Sequence, residues 1–495
     1  MKLLGLRVCE HDSNFTYYDG HEVYYHKSER EYGIKHLGLD NIWSWKNEIK
    51  RIWNISYKDI DEIGIVCDPW RYNFPIDEEN FFPEQQYKYI LFNNHVTRVN
   101  HHYAHALSCW PIEKEKSEVQ IVIDGYGDDN IAWSVFKNNQ LIQKGDKEKH
   151  GSIGLYMSKV ANLFNIQGHP LDVAGKVMAL QSFGTVDEGY TNILKNYNMT
   201  NVKEIFNFNN WITYNDDETI SHLRRLDWIR TVHEYTGHLL VNFFKEYSNG
   251  YETKISYSGG VALNVVWNTQ LKEKFKNLVI PPHCADEGLS LGVIEYLRLK
   301  NNLDPFVLKN FPYVQNDETP ENEADQRTIK KTVSYLKEGK IVAWYQGHGE
   351  IGPRALGHRS ILINPQIKNA KKLINKIKKR EKYRPFGASV LRENVNIESP
   401  FMLYLYSITS PLLHSITHID NTCRIQTVDK SEGTYYNLLK EFYKETGCPF
   451  ILNTSLNING KPIVGKKQEI INFFNESEID VLVMGNETRR KEYVF

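Results

Sequence analysis

Sulfur chemistry is scarce in this chain. Its 495 residues include six cysteines, Cys9, Cys67, Cys109, Cys284, Cys423 and Cys448. None forms a CxxC pair, which argues against a structural zinc site. The opening MKLLGLRVCEHDSN turns polar too early for a secretory leader, so the cysteines read as reduced thiols in a cytoplasm. Long apolar runs are missing as well: nothing approaches the roughly 18–20 residues of a membrane span. There is no short internal repeat. With 41% hydrophobic and 24% charged residues, the composition excludes a mostly disordered or collagen-like chain. At roughly 100–200 residues per domain, two or three domains are expected.

Net charge is also nearly absent, at −1, but it is the sum of two unlike parts. From Asp325 to Phe495 there are 27 Lys+Arg and 17 Asp+Glu, a balance of +10. The remainder carries 33 basic and 44 acidic residues, a balance of −11. Such asymmetry points to different ligands on the two parts.

The opening reads as strands at residues 2–8, 14–20 and 22–28. A second strand set lies at 118–124, 130–136 and 141–146. Two strand-turn-strand sheets, each followed by helices, predict a duplicated α/β domain; the actin-like architecture is one solution of that type. Helical spacing occupies 152–166 and roughly 220–247. A short strand at 254–257 runs into paired glycines, with a helix from about Ala262. The polar, three-proline stretch 301–325 is the linker candidate. A last unit opens with a helix near Gln326, continues through the strand KIVAWYQG and closes with a strand at 480–486. The expected partition is 1–312, a linker at 313–325, and 326–495.

Four constellations in the first part carry chemistry. His101 and His105 in HHYAHA share one helix face at i,i+4, a spacing that suits two ligands of one metal or a plain interface helix. Asp124 ends a buried strand before Gly125 and Gly127; it presents either a carboxylate to a metal-bound phosphate or an Asx turn in a hairpin. Gly259 and Gly260 with Asn264 allow close backbone approach to a ligand. Asp286, before Glu287-Gly288, is a further metal ligand or a helix N-cap. The last part is richer in arginine and amide groups: Arg354 and Arg359 in GPRALGHRS, Arg380 and Arg384 before ProPhe, His418, Arg424 and Gln426, then Asn453, Ser455 and Asn457. Arginine forks bind phosphate and carboxylate oxygens, and a polar run between apolar flanks is costly to bury unless it binds something. Together they indicate a phosphate-rich ligand.

Across nearly the whole chain these motifs resemble the O-carbamoyltransferase family that includes the nodulation-factor, cephamycin and tobramycin enzymes. GPRALGHRS together with NTSLNINGKPIV is the most specific part. The resemblance implies an α/β chain: an actin-like first domain, similar to the tRNA threonylcarbamoyl transferases, and a YrdC-like second domain. It implies that the second domain forms carbamoyl-AMP from carbamoyl phosphate and Mg-ATP, through Arg354, Arg359, Arg384, His418, Arg424, Asn453, Ser455 and Asn457. The first domain would transfer the carbamoyl group to a hydroxyl. Its Fe(II) or other divalent metal would be held by His101, His105, Asp124 and Asp286. Adenylate contacts would come from Gly125, Gly127, Lys176, Gly259, Gly260 and Asn264. His11 or His36 would accept the hydroxyl proton, and Lys35 would stabilise phosphate. The family pattern KxMGLAPYG reads KVMALQSFG here, which puts that loop's geometry in question.

The acceptor is expected to be a sugar, natural-product or other small-molecule hydroxyl. A hydroxymethylated pyrimidine, free or in DNA, is the second expectation. It rests on Lys368–Arg384, where nine of seventeen residues are basic; that stretch reads either as a nucleic-acid track or as a solvated helix face. A homodimer is possible and no membrane partner is expected. The competing functions are a tRNA threonylcarbamoylation-type enzyme and a non-catalytic nucleotide or metal-binding protein.

Overall fold

The apolar run of Leu3–Arg7 (β1) is buried at every residue, as expected of a central strand covered on both faces. It pairs antiparallel with Asn14–Tyr18 (β2) and parallel with Glu62–Val66 (β4). Val23–Lys27 (β3), Lys88–Leu91 (β5) and Asn94–Arg98 (β6) complete a six-stranded sheet of order β3-β2-β1-β4-β6-β5. The structure is a computed structural model that describes residues 1–8, 10–39, 44–67, 88–91, 94–113, 116–163, 166–196, 222–306 and 308–491.

The second sheet repeats the plan. Val119–Ile123 (β7) is again wholly buried. It pairs antiparallel with Ile131–Lys137 (β8) and parallel with Ile255–Ser258 (β10). Gln140–Asp146 (β9) and Leu278–Val279 (β11) give the order β11-β10-β7-β8-β9. Numbered from the central strand, the second sheet runs 3-2-1-4-5 and the first 3-2-1-4-6-5; in both, strand 1 pairs antiparallel with strand 2 and parallel with strand 4. The duplication expected from the strand spacing is therefore present in the pairing. The predicted helices 152–166 and 220–247 appear as Ile153–Leu163 and His222–Tyr247. The helix expected from Ala262 begins later: Gly260–Leu263 is a 3-10 turn and the α-helix is Val265–Lys274.

The helix Leu289–Lys300 packs on β1, β2 and β4 and on the helix His101–Ser108. Gly292 permits that last contact. A Cβ there would lie 1.8 Å from the Ala104 carbonyl oxygen, so only a glycine lets the two backbones approach so closely.

The third sheet is mixed and has eight strands. They are Val342–Tyr345 (β12), Arg359–Ile363 (β13), Gly387–Leu391 (β14), Tyr404–Ser407 (β15), Thr422–Val428 (β16), Phe450–Ser455 (β17), Val481–Met484 (β18) and Glu487–Arg490 (β19). Their order is β15-β16-β14-β17-β13-β12-β18-β19. Its core joins Ile329, Trp344, Ile361, Ile374, Ile425 and Leu439 across the sheet and its helices.

The chain divides into two units, Met1–Tyr25 with Gly38–Lys309, and His26–Leu37 with Asn310–Phe495. This differs from the linear partition expected at 312/313. Residues 313–325 do not form a free linker. Gln315 is buried, bridges to Gly349 and accepts the Lys27 N–H on its side chain at 3.1 Å. Asp317 pairs with Arg359 at 3.0 Å. Proline and polar residues there mark irregular backbone that is packed at Tyr313, Gln315 and Ala324 and exposed at Glu321–Glu323. The five described cysteines are buried free thiols. Among the described residues no helix is long and apolar enough to cross a membrane.

Candidate active site

In the first unit the carboxyl ends of parallel strands converge, the usual place for a site in an α/β sheet. Asp124 follows β7, the Gly259-Gly260 turn follows β10, and His101 opens the helix after β6. Asn100 caps that helix by accepting from the His102 and Tyr103 N–H groups. His101 Nε2 lies 3.2 Å from Asp124 Oδ2 and 3.4 Å from Asp286 Oδ1. His105 Nε2 lies 3.3 Å from Asp124 Oδ2 and 3.4 Å from Asp286 Oδ1. These four residues are brought together as one group whose ligand atoms all lie within 4.8 Å of one another.

The outer oxygens are already engaged, which aims the inner ones. Asp124 Oδ1 accepts from the Gly125 N–H at 2.7 Å and the Gly260 N–H at 3.1 Å. Asp286 Oδ2 accepts from Arg7 Nη2 at 3.1 Å. The His101 N–H donates to Asp128 at 2.8 Å, and Asp128 pairs with Arg98 at 2.9 Å. His105 is fully buried, and its Nε2 makes no hydrogen bond of proper geometry. Burial opposes charge on His101, but the facing Asp286 and Asp124 raise its pKa to about 10. Burial also opposes charge on the two carboxylates, yet the histidines hold both below the usual range.

The donor set fits a divalent cation. Ligands about 2.1 Å from a tetrahedral metal stand roughly 3.4 Å from one another, and the four His–Asp separations are of that size. Two imidazoles and two carboxylates suit iron, zinc or manganese. The outer hydrogen bonds are of the type that orients metal ligands.

His11 joins this neighbourhood: its Nδ1 is 3.0 Å from Asp12 Oδ2 and 3.8 Å from Asp286 Oδ2. Burial lowers its pKa, but the hydrogen bond to Asp12 and the charge of Asp286 outweigh it and raise the value. Gly259 adopts φ +91, and a Cβ there would meet the Ile123 carbonyl at 2.2 Å. At Gly127 a Cβ would lie 2.8 Å from the His101 ring. Lys176 is buried and donates to the Gln167 carbonyl. Asn264 requires a correction. Its oxygen caps the helix Val265–Lys274 and its amide nitrogen meets His233 Nε2 at 3.0 Å, so it shapes the turn instead of facing an adenylate. Lys35 and His36 fall in the His26–Leu37 segment of the second unit; the His36 N–H donates to Glu29 Oε2 at 2.9 Å.

The second unit gathers cations. Burial, then the nearby charges of Arg354, Arg380 and Arg384, push the Arg424 pKa well down. Lys378 is lowered by burial and by Arg380, Arg384 and Lys35. Like charges held together at such a penalty would be relieved by a bound anion. Lys378 also donates to the Ser455 carbonyl at 2.6 Å and to the Asn457 side chain, so it shapes the turn after β17. His418 Nδ1 is 3.6 Å from Asp420 Oδ1. Asn453 is fully buried; its Nδ2 meets Ser389 Oγ at 2.9 Å and the Ala355 carbonyl at 3.3 Å.

Arg359 is the second correction. Its guanidinium donates to the carbonyls of Gln346, His358, Gly347 and Glu318, pairs with Asp317, and lies 3.7 Å over the Tyr345 ring. With Nη1 and Nη2 thus committed and the side chain fully buried, it is a scaffold and not a phosphate ligand. The basic stretch 368–384 is also resolved in part. The helix Ala370–Lys378 buries Ile374, Ile377 and Lys378. Arg380 turns to Asn375 and the Pro385 carbonyl. Lys368, Lys372, Lys376, Lys379 and Lys382 remain on the solvated face.

Two family descriptions match the chain. Residues 49–294 match the family described as Carbamoyltransferase N-terminus, and residues 333–491 match Carbamoyltransferase C-terminus. The chain belongs to the carbamoyltransferase family. This carbamoyltransferase is 30% identical to the protein MJ1051 of Methanocaldococcus jannaschii, over 81% of this chain and 82% of that one. It is 27% identical to nodulation protein NolO of Bradyrhizobium diazoefficiens, over 78% of each. The 3'-hydroxymethylcephem-O-carbamoyltransferase of Amycolatopsis lactamdurans is 31% identical over 46% of this chain and 47% of its own length. Among solved structures, T. kodakarensis HypF matches with TM-score 0.31 and 13% identity, over 61% of this chain and 48% of that one.

Three supports of the metal group were missed from sequence: Arg7, Glu10 and Asn14. Arg7 bridges Glu10 and Asp286, each at 3.1 Å. Asn14 Nδ2 donates to the Asp12 and Asp286 carbonyls. An arginine ending an otherwise apolar buried strand was the available signal.

Proposed function

We propose that this chain is an ATP-dependent O-carbamoyltransferase working in two half-reactions. In the second unit, water releases phosphate from carbamoyl phosphate, and the carbamate oxygen so freed attacks the α-phosphate of ATP; carbamoyl-AMP forms and pyrophosphate leaves. In the first unit, an acceptor hydroxyl attacks the carbamoyl carbon, AMP leaves, and one proton is released. The 3-2-1-4 strand order common to the two sheets supports an actin-like architecture for the transfer unit. A YrdC-like character of the second unit rests on the resemblance of its motifs.

The observation that carries the reading is the buried group of His101, His105, Asp124 and Asp286. These residues would hold a divalent cation, whose bound form supplies Lewis acidity toward the mixed anhydride and its phosphate. The rest falls to the protein's own groups. Gly259 and Gly260 let backbone approach the adenylate. His11 is oriented through Nδ1 by Asp12, leaving Nε2 to take the hydroxyl proton. His11 is preferred over His36 because it lies in the same unit as the metal group. In the second unit, Arg354, Arg384 and Arg424 offset the charge of the triphosphate during adenylation.

The acceptor is a small-molecule hydroxyl. The support is the hydroxymethylcephem named for the Amycolatopsis relative and the inward turn of Lys378 and Arg380, which leaves fewer basic groups of that stretch to meet a nucleic acid. The test is pyrophosphate release from ATP dependent on carbamoyl phosphate, followed by label transfer from carbamoyl phosphate to a panel of hydroxyl compounds with Fe(II) present. Absence of carbamoyl-phosphate-dependent pyrophosphate release would sink the proposal.

A further inference from the structure

The loop from Gly352 to Gly357 carries Arg354 and has a positive-φ glycine at each end, Gly352 at φ 90 and Gly357 at φ 109. Such ends leave a loop free to pivot unless its backbone is fastened. It is fastened at the carbonyls on both sides of Arg354. Arg30 Nη2 donates to the Gly352 carbonyl at 3.0 Å. The Tyr313 hydroxyl lies between two acceptors, the Leu356 carbonyl at 2.9 Å and Glu432 Oε2 at 2.7 Å, and Gln426 Nε2 also reaches the Leu356 carbonyl at 2.7 Å. Tyr313 is further fixed by its ring, which stacks on His358 at 3.5 Å and 9°. Both anchors are buried, Arg30 at 2% exposure and Tyr313 at 8%.

Neither anchor belongs to the 333–491 stretch that matches the C-terminal family description. One comes from the His26–Leu37 excursion and the other from the stretch expected to be a linker. We propose that Arg30 and Tyr313 are positioning residues for the anion site of the second unit. By pinning the Gly352 and Leu356 carbonyls they fix where the Arg354 guanidinium is presented, so that phosphate meets it already in place. This rests on the adenylate-forming reading of that site.

The experiment uses the full chain and two conservative variants. Tyr313→Phe keeps the stacked ring and removes only the hydroxyl; Arg30→Lys keeps the charge and loses the reach to Gly352. Pyrophosphate release is followed at varied ATP and carbamoyl phosphate, binding of inorganic pyrophosphate is measured by calorimetry, and denaturant titration gives the folded fraction. Losing one buried anchor should raise KM for the anionic substrates and weaken pyrophosphate binding about tenfold, with kcat little changed. Wild-type pyrophosphate affinity in both variants overturns the proposal. So does a weakening that vanishes once the folded fraction is taken into account. If the wild-type chain releases no pyrophosphate, the adenylate reading falls, while the pyrophosphate affinities still decide whether these residues position the site.

Discussion

Replacing Arg7 with methionine tests whether the metal group is held by its surroundings or merely adjacent to them. Arg7 is 1% exposed and its Nη2 stands 3.1 Å from both Asp286 Oδ2 and Glu10 Oε2. At that distance and an effective dielectric near 20, each contact corresponds to about 5 kcal/mol of Coulomb attraction before desolvation is subtracted. Removing one partner of a buried pair typically costs about 3–5 kcal/mol, because the remaining charge is left uncompensated. Glu10 and Asp286 are the charges left behind, and Asp286, the more buried of the two, keeps among the described residues only its histidine partners. Arg7→Met should therefore lower the unfolding free energy by about 3–5 kcal/mol at neutral pH, measured by urea titration. Combining it with Asp286→Asn should cost less than the sum of the two, since the stranded carboxylate is then gone. Saturating divalent cation should narrow the deficit, because a cation bound by Asp286 replaces the missing positive charge. A loss below about 1 kcal/mol, or strict additivity with Asp286→Asn, would refute the reasoning.

Other outcomes follow from the same packing. Burial raises Glu432 from 4.5 to about 7, so this group's own contribution to stability is greatest below pH 4.5 and is lost as pH rises through 7. Glu432→Gln should flatten that slope and gain up to about 3 kcal/mol above pH 7, read from denaturation midpoints across pH; an unchanged slope would count against it. Gly292→Ala should force the helix Leu289–Lys300 off Ala104 and destabilise the first unit by about 2–3 kcal/mol or more; a midpoint equal to wild type would show that the approach can relax freely. Arg359→Lys should leave several carbonyls unpaired and lower stability by about 2–4 kcal/mol. Loss of ATP affinity at unchanged stability would instead make Arg359 a phosphate ligand.

Much of this was legible because strands and turns announce themselves locally. Leu3–Arg7, Val119–Ile123 and Val342–Tyr345 are apolar runs bounded by turn residues, and each became a buried strand. The convergence of His101, His105 and Asp124 was legible because the two histidines share a helix face and Asp124 ends a strand. Side-chain commitments were not. Asn264 was claimed by the helix it starts, and Arg359 by carbonyls contributed from elsewhere in the second unit, which no spacing rule reveals. Lys378 could have been read from its own helix: it stands at i+4 from Ile374, on the stripe that the fold buries. The membership of residues 26–37 in the second unit depends on tertiary contacts hundreds of residues apart, for which local patterning has no signal.

That excursion bears on how the protein is made. His26–Leu37 is synthesised before the rest of the first unit, yet its partners start at Asn310. At roughly 5–20 residues per second, the segment waits on the order of tens of seconds on the ribosome before any of them emerges. The second unit cannot close on its N-terminal piece until the intervening residues Gly38–Lys309 have been synthesised. A gene cut at the boundary would separate Arg30 from the loop it fastens, so the two chemistries are joined by covalent topology as well as by sequence order.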